Sequence, residues 1–129
     1  MDKRTGFTLI ELVMVIVILA VLASVAIPIY VNLRDDANEA AEQGVVGGVR
    51  AGILTYFVDP SRGNYTSYPA TLDSASGDAA PGNPYFDTVL AQGGITQGWT
   101  KSGLVYTGPT TVNEYTYTPA TGSFDLTST

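Results

Sequence analysis

Apolar and polar positions are distributed unevenly along the chain. Residues 12–29 (LVMVIVILAVLASVAIPI) carry no charge, while most polar residues follow Tyr30. Residues 7–29 would make roughly 34 Å of helix at about 1.5 Å per residue, enough to cross a bilayer core of about 30 Å. From Tyr30 to Val58 a helical pattern continues. Arg34, Asp35, Asp36, Glu39 and Glu42 form a charged, mostly acidic stretch. Ala37, Ala41, Val45, Val49, Ile53 and Tyr56 then recur every three or four residues, with Val46 and Phe57 beside them. That spacing predicts an amphipathic stripe that needs a partner surface. Asp59-Pro60 should end it, because the residue before Pro disfavours helix. Unbroken, residues 7–58 would form one helix roughly 78 Å long. Gly44, Gly47, Gly48 and Gly52 weaken that helix by up to about 1 kcal/mol each and predict close backbone packing against a sheet.

Residues 59–84 are punctuated by Pro and Gly and read as loop. A helical turn could start at Pro69-Ala70-Thr71-Leu72. Asn83-Pro84 resembles an N-cap followed by a first-turn Pro, which predicts a short helix over 85–91 stopped by Gly93-Gly94. Phe86, Val89 and Leu90 would face inward. The C-terminal part is β-rich, with strands expected at 104–106, 114–118 and 123–127. The turn at 119–122 should make the last two a hairpin. Tyr115, Tyr117, Phe124 and Leu126 alternate with polar residues, so one face of that hairpin is apolar and the helix stripe should cover it. Trp99 should plug the rim of this core. The expected class is α+β: a long N-terminal helix packed on a small C-terminal antiparallel sheet.

Composition removes most chemistry. The 129 residues include no His and no Cys, which excludes histidine triads, thiol nucleophiles, disulfides and zinc sites of the usual kind. A net charge of −6 opposes nucleic-acid binding, which requires a basic face. Asp73, Asp78, Asp87, Glu114 and Asp125 are scattered singly, with no spacing that demands acid–base work. Lys101 has no evident Ser partner. No catalytic residue, cofactor or metal site is expected, and the acids after Glu114 are too few for a calcium loop. Asn64-Tyr65-Thr66 matches a glycosylation sequon, a triplet that also arises by chance. Eight Tyr and four Phe are accounted for by an ordinary core rather than by a conducting filament.

Two residues do not suit a plain membrane anchor. Glu11 lies inside the apolar stretch, where a lone carboxylate costs several kcal/mol and calls for a partner. No base in the span can serve. A free Phe7 amine, exposed by cleavage after Gly6, could do so from a neighbouring copy; otherwise Glu11 lies at the headgroup interface. Pro28 removes a helix hydrogen bond near the end of the span.

Gly6-Phe7-Thr8-Leu9-Ile10-Glu11, with Lys3 and Arg4 before it and the apolar run to Pro28 after it, resembles the N-terminal signal of type IV pilins and type II secretion pseudopilins. The specific likeness covers about residues 3–31. It implies cleavage between Gly6 and Phe7 by a prepilin peptidase, N-methylation of Phe7, and pairing of Glu11 with the Phe7 amine of an adjacent subunit. It also implies loosening of the helix around Pro28 in the filament. Ala20 stands where the family usually has Gly, so such melting would lean more on Pro28.

The organisation that follows is a leader at 1–6, a membrane or filament-core helix at 7–29, an amphipathic spine at 30–58 and a loop-rich head at 59–129. Lys3 and Arg4 place the N-terminus in the cytoplasm, so the subunit would sit in the inner membrane before assembly and in a surface filament afterwards. The resemblance implies a homo-oligomeric filament, an inner-membrane platform and an assembly ATPase as partners. A periplasmic pseudopilus is the first alternative. The second is a secreted soluble binding module, released by cleavage after Ser24-Val25-Ala26.

Overall fold

The computed structural model describes residues 6–62 and 67–129. The leader residues before Gly6 and the Asn64-Tyr65-Thr66 sequon lie outside the described residues. The chain divides into two compact units, Met1–Ala37 and Asn38–Thr129. Both contribute to helix α1, Leu9–Phe57.

In the first unit α1 has no interior. Every described residue from Gly6 to Ala37 is exposed, including the whole run of Val, Ile and Leu side chains from Leu9 to Leu33. α1 is also long and apolar enough to cross a membrane. Pro28 is inside the helix. Lacking an N–H, it leaves the carbonyl of Ser24 without its helix donor. The Ser24 hydroxyl donates back to the Val21 carbonyl at 2.7 Å, a bond that tends to bend a helix. One rung of the backbone ladder is therefore missing between Ser24 and Pro28.

The second unit is an α+β domain. After α1 come a single 3-10 turn, Pro60–Arg62, a long loop, and strands β1 (Thr100–Ser102), β2 (Val105–Thr107), β3 (Glu114–Thr118) and β4 (Ser123–Ser128). The sheet is an antiparallel meander in the order β1-β2-β3-β4. β1 and β2 close over Gly103-Leu104, pairing Ser102 with Val105; this hairpin adds a strand to the three expected from sequence. Of Thr100, Lys101 and Ser102 only Thr100 is a β-former, too weak a signal for a strand by itself, and β1 forms by pairing with β2.

The core joins Val46, Val49 and Ile53 of α1 to Leu72, Tyr85, Phe86, Trp99, Tyr106, Tyr115, Tyr117 and Phe124. Phe86 is its centre. Its ring lies 4.7 Å from Tyr106 and meets Trp99 and Phe124 edge-on at 5.4 and 5.7 Å. Edge-to-face and offset pairs of this kind add about 0.5–1.5 kcal/mol each beyond area burial. Trp99 is buried within the cluster.

Several expectations need correction. The buried seam of α1 is Glu42, Val46, Val49 and Ile53, whereas Ala37 and Ala41 are exposed. The stripe read from the apolar residues alone is thus rotated on the helix, because its first buried position holds a carboxylate. Leu126 pairs with Tyr115 but sits on edge strand β4 and remains 48% exposed.

No helix forms over 85–91. The Asn83 side chain, expected to cap it, instead donates to the Ser76 and Asp78 carbonyls at 2.7 and 3.0 Å. Tyr85 forms a two-way backbone bridge with Ile95 at 2.8 Å, and Phe86 adopts φ 61°, outside the right-handed helix region. Only one turn survives, with the Val89 and Leu90 amides donating to the Phe86 carbonyl. Phe86 is buried, and Val89 and Leu90 pack against the core as expected. Nor does a helical turn form at Pro69-Leu72. The Pro69 carbonyl accepts the Tyr117 hydroxyl, and the Leu72 carbonyl accepts the Thr88 amide at 3.2 Å.

Among the helix glycines, Gly52 makes a close approach, but to a loop rather than to the sheet. A Cβ there would overlap the Val89 carbonyl. At Gly44 and Gly47 a Cβ would meet nothing within 4 Å.

Candidate functional site

The N-terminal tip of α1 carries the residues singled out by sequence. Gly6 and Phe7 precede the helix in a non-helical segment and are exposed, Phe7 by 90%. Thr8 is the N-cap, and its carbonyl accepts the Leu12 amide at 3.2 Å. The Thr8 hydroxyl accepts the Glu11 amide at 3.3 Å, and the Glu11 carboxylate accepts the Thr8 amide at 2.9 Å. This is a capping box, and the first-turn carboxylate also faces the positive end of the helix dipole. Glu11 therefore has a partner on its own chain, a backbone N–H rather than a base. The pattern Thr-x-x-Glu before an apolar run is the sequence signal for it, one that looking only for a cationic partner misses. Pro28 lies far along the same helix and does not join this group.

Two further carboxylates are buried, both in the second unit. Glu42 accepts the Thr110 amide at 3.1 Å, the Thr110 hydroxyl at 2.6 Å, the Asn113 amide group at 2.7 Å and the Tyr115 hydroxyl at 2.8 Å. Burial pushes its carboxyl up, but the bonds from Thr110, Asn113 and Tyr115 outweigh burial and hold it below its ordinary value. Tyr115 moves the other way, pushed up to about 12 by burial and by the adjacent Glu42 carboxylate. A Cβ at Gly108 would overlap the Glu42 side chain, so only Gly allows the loop 108–113 to close on it. The signal for Glu42 was its spacing: 42, 46, 49 and 53 form one seam.

Asp73, read from sequence as one of five scattered acids, accepts the Ala75 and Phe86 amides, both at 3.2 Å, and the Tyr106 hydroxyl at 2.9 Å. It also contacts Lys101 Nζ. Asp78, Asp87, Glu114 and Asp125 are not drawn together by the fold. Asp125 instead makes an exposed 3.5 Å ion pair with Arg50, whose Nε donates to the Phe124 carbonyl at 2.8 Å. Among the described residues no three side chains of metal-ligating type converge. A surface cleft of about 600 Å³ is lined by Ala41, Val45, Ile95, Trp99 and Pro109 together with the amides of Asn38 and Gln97, a set without an acid–base pair.

The comparisons with known proteins converge on the same end of the chain and extend over the rest. Residues 1–27 match the prokaryotic N-terminal methylation motif. The type IV narrow pilus major component of Thermus thermophilus is 36% identical over 104 residues, covering 78% of this chain and 72% of that one. The wide pilus major component of the same organism is 36% identical over 91 residues, covering 70% and 68%. The type II secretion system core protein G of Pseudomonas aeruginosa is 30% identical over 130 residues, covering 96% and 81%. No solved structure matches. With identity at this level across most of both chains, and an apolar N-terminal helix joined to an antiparallel four-stranded head, the protein belongs to the family of type IV pilins and type II secretion pseudopilins.

Proposed function

We propose that this chain is the structural subunit of a type IV pilus-like filament, processed at its N-terminus and polymerised through α1. The observation that carries this reading is the uncharged, exposed apolar surface from Leu12 to Ile29. In water that surface is untenable, and lipid followed by neighbouring subunits are two environments that satisfy it in turn. The similarity to pilus major components supports the reading.

The leader is 1–6, the core helix 7–29, the spine 30–58 and the head 59–129. A prepilin peptidase cuts between Gly6 and Phe7, in the exposed segment ahead of the helix, and Phe7 is N-methylated. Cleavage turns the Phe7 nitrogen from an amide into an ammonium. The Glu11 carboxylate of an adjacent subunit then exchanges its neutral backbone donor for a charged one, a stronger bond in a low-dielectric setting. Pro28, which gives the Ser24 carbonyl no helix N–H, lets α1 loosen in the filament. Before assembly the subunit spans the inner membrane once, N-terminus in the cytoplasm, where the assembly platform and its ATPase extract it. The chain is a structural subunit and not an enzyme.

The test is a count of filaments sheared from cells that carry Glu11→Gln in place of the wild type. The expected result is loss of filaments with the subunit still in the membrane. Filaments at wild-type number would overturn the assigned role of Glu11. A second reading, a pseudopilin acting as a periplasmic piston, is favoured by the core protein G relative, which aligns over 96% of this chain. In that case a deletion strain would lose protein secretion and not surface filaments.

A further inference from the structure

In the head, an amine and a carboxyl group meet away from solvent, with three further hydrogen-bond donors aimed at the same carboxyl. Asp73 is buried. Its Oδ2 accepts the Phe86 N–H at 3.2 Å and the Tyr106 O–H at 2.9 Å. Its Oδ1 accepts the Ala75 N–H at 3.2 Å and touches Lys101 Nζ. The Lys101 side chain is only 12% exposed, and its Nζ lies 5.2 and 5.7 Å from the ring centres of Tyr85 and Tyr106. One carboxyl oxygen thus faces the amine, while the other is held by two donors. Those donors sit where negative charge would develop if the amine attacked Cγ.

We propose that Asp73 and Lys101 join through an intramolecular amide bond, so that the head carries a covalent cross-link between its long loop and strand β1. A proton passes from the Lys101 ammonium to Oδ1, giving a neutral amine and a carboxylic acid. The nitrogen lone pair attacks Cγ, the N–C bond forms, and the carbonyl electron pair moves onto Oδ2. The Phe86 N–H and Tyr106 O–H hold that oxyanion, the role such paired donors fill in acyl-transfer sites. A second proton moves from nitrogen to Oδ1, the C–Oδ1 bond breaks, water departs and the Oδ2 carbonyl re-forms. No oxidant, reductant or co-substrate enters.

Two features favour the reaction over a lasting ion pair. The groups are held in contact by the fold, which replaces a bimolecular encounter with an intramolecular one. The buried rings of Tyr85 and Tyr106 beside Lys101 keep water, the reverse reactant, away. Tyr106 is suited to the donor role because burial, with the Asp73 charge beside it, pushes its phenol far up and keeps it protonated. The bond would tie positions 28 residues apart in a chain that has no cysteine to do so.

The test is the intact mass of the full chain, purified from membranes in detergent, together with a tryptic map. The expected result is a wild-type mass one water below that of its processed sequence, with no cleavage after Lys101 and a single tryptic peptide, residues 63–129, one water lighter than its sequence, since no Lys or Arg separates Asp73 from Lys101. Asp73→Ala and Lys101→Arg should each restore the full mass. Tyr106→Phe should slow cross-linking by about 100-fold, as loss of one oxyanion donor does, leaving an uncross-linked fraction in freshly made protein. A wild type at full mass with normal cleavage after Lys101 would overturn the proposal. So would a missing water that persists in Lys101→Arg, since that would locate the loss in a cyclised aspartyl backbone instead.

Discussion

Glu11 and Glu42 lie on one helix, and the two regions around them solve opposite problems. Around Glu11 the side chains are apolar and nothing is buried. The carboxylate is the exception there, and the fold gives it one backbone donor from its own chain. Around Glu42 the surface is polar and the interior aromatic, and the carboxylate is buried under four donated hydrogen bonds. The first region leaves its free energy to be gained from lipid or from other subunits. The second completes its own interior. The lesson is that a helix does not set the fate of a charge on it; the surroundings that the rest of the chain supplies do.

That contrast can be broken from either side. The largest effect should come from Glu42→Ala, which leaves the buried Tyr115 hydroxyl and the half-buried donors of Thr110 and Asn113 without their acceptor. At about 1–3 kcal/mol for each unsatisfied group, the head should lose on the order of 4 kcal/mol, read by denaturant unfolding of the full chain in detergent, with membrane retention unchanged. The same site sets an acid limit. Its folded pKa lies below the ordinary 4.5, so its contribution is fully present above that value and is lost as pH falls through the folded value. Glu42→Gln should flatten this part of the pH–stability curve.

Next in size is Val17→Asp, in the middle of the exposed apolar run. A carboxylate at the centre of a span costs about 3 kcal/mol on insertion scales. The expected outcome is poor membrane retention on fractionation, while the unfolding of the head is unaltered. Gly52→Ala should cost about 1–3 kcal/mol of head stability, because its Cβ meets the Val89 carbonyl, backbone that cannot rotate away. The smallest effect belongs to Thr8→Val, which removes the side-chain half of the capping box. A loss of about 1 kcal/mol should appear as fraying of the first turn in amide hydrogen exchange.

The regions also differ in how far they were legible in the sequence. The apolar run, the tip motif and the Tyr/Thr hairpin of β3 and β4 carry local signals strong enough to read directly. β1 carried only the single β-former Thr100, too little to read a strand without its pairing to β2. The Asn83-Pro84 cap was a sound local signal that lost to tertiary bonds at Ser76, Asp78 and Ile95. Glu42 was legible by spacing, yet its charge grouped it with the acidic stretch 34–42 rather than with the stripe. Asp73 was beyond reach, because its partners Phe86, Lys101 and Tyr106 come from three separate segments.

The central claim is that the chain is a processed filament subunit, held first by lipid and then by its neighbours. Its most direct test is the N-terminal mass of the protein in sheared surface filaments and in the membrane fraction. The account predicts a chain that begins at Phe7 with one added methyl group, abundant in the filaments. A chain beginning at Ile27 and free in the medium would contradict it.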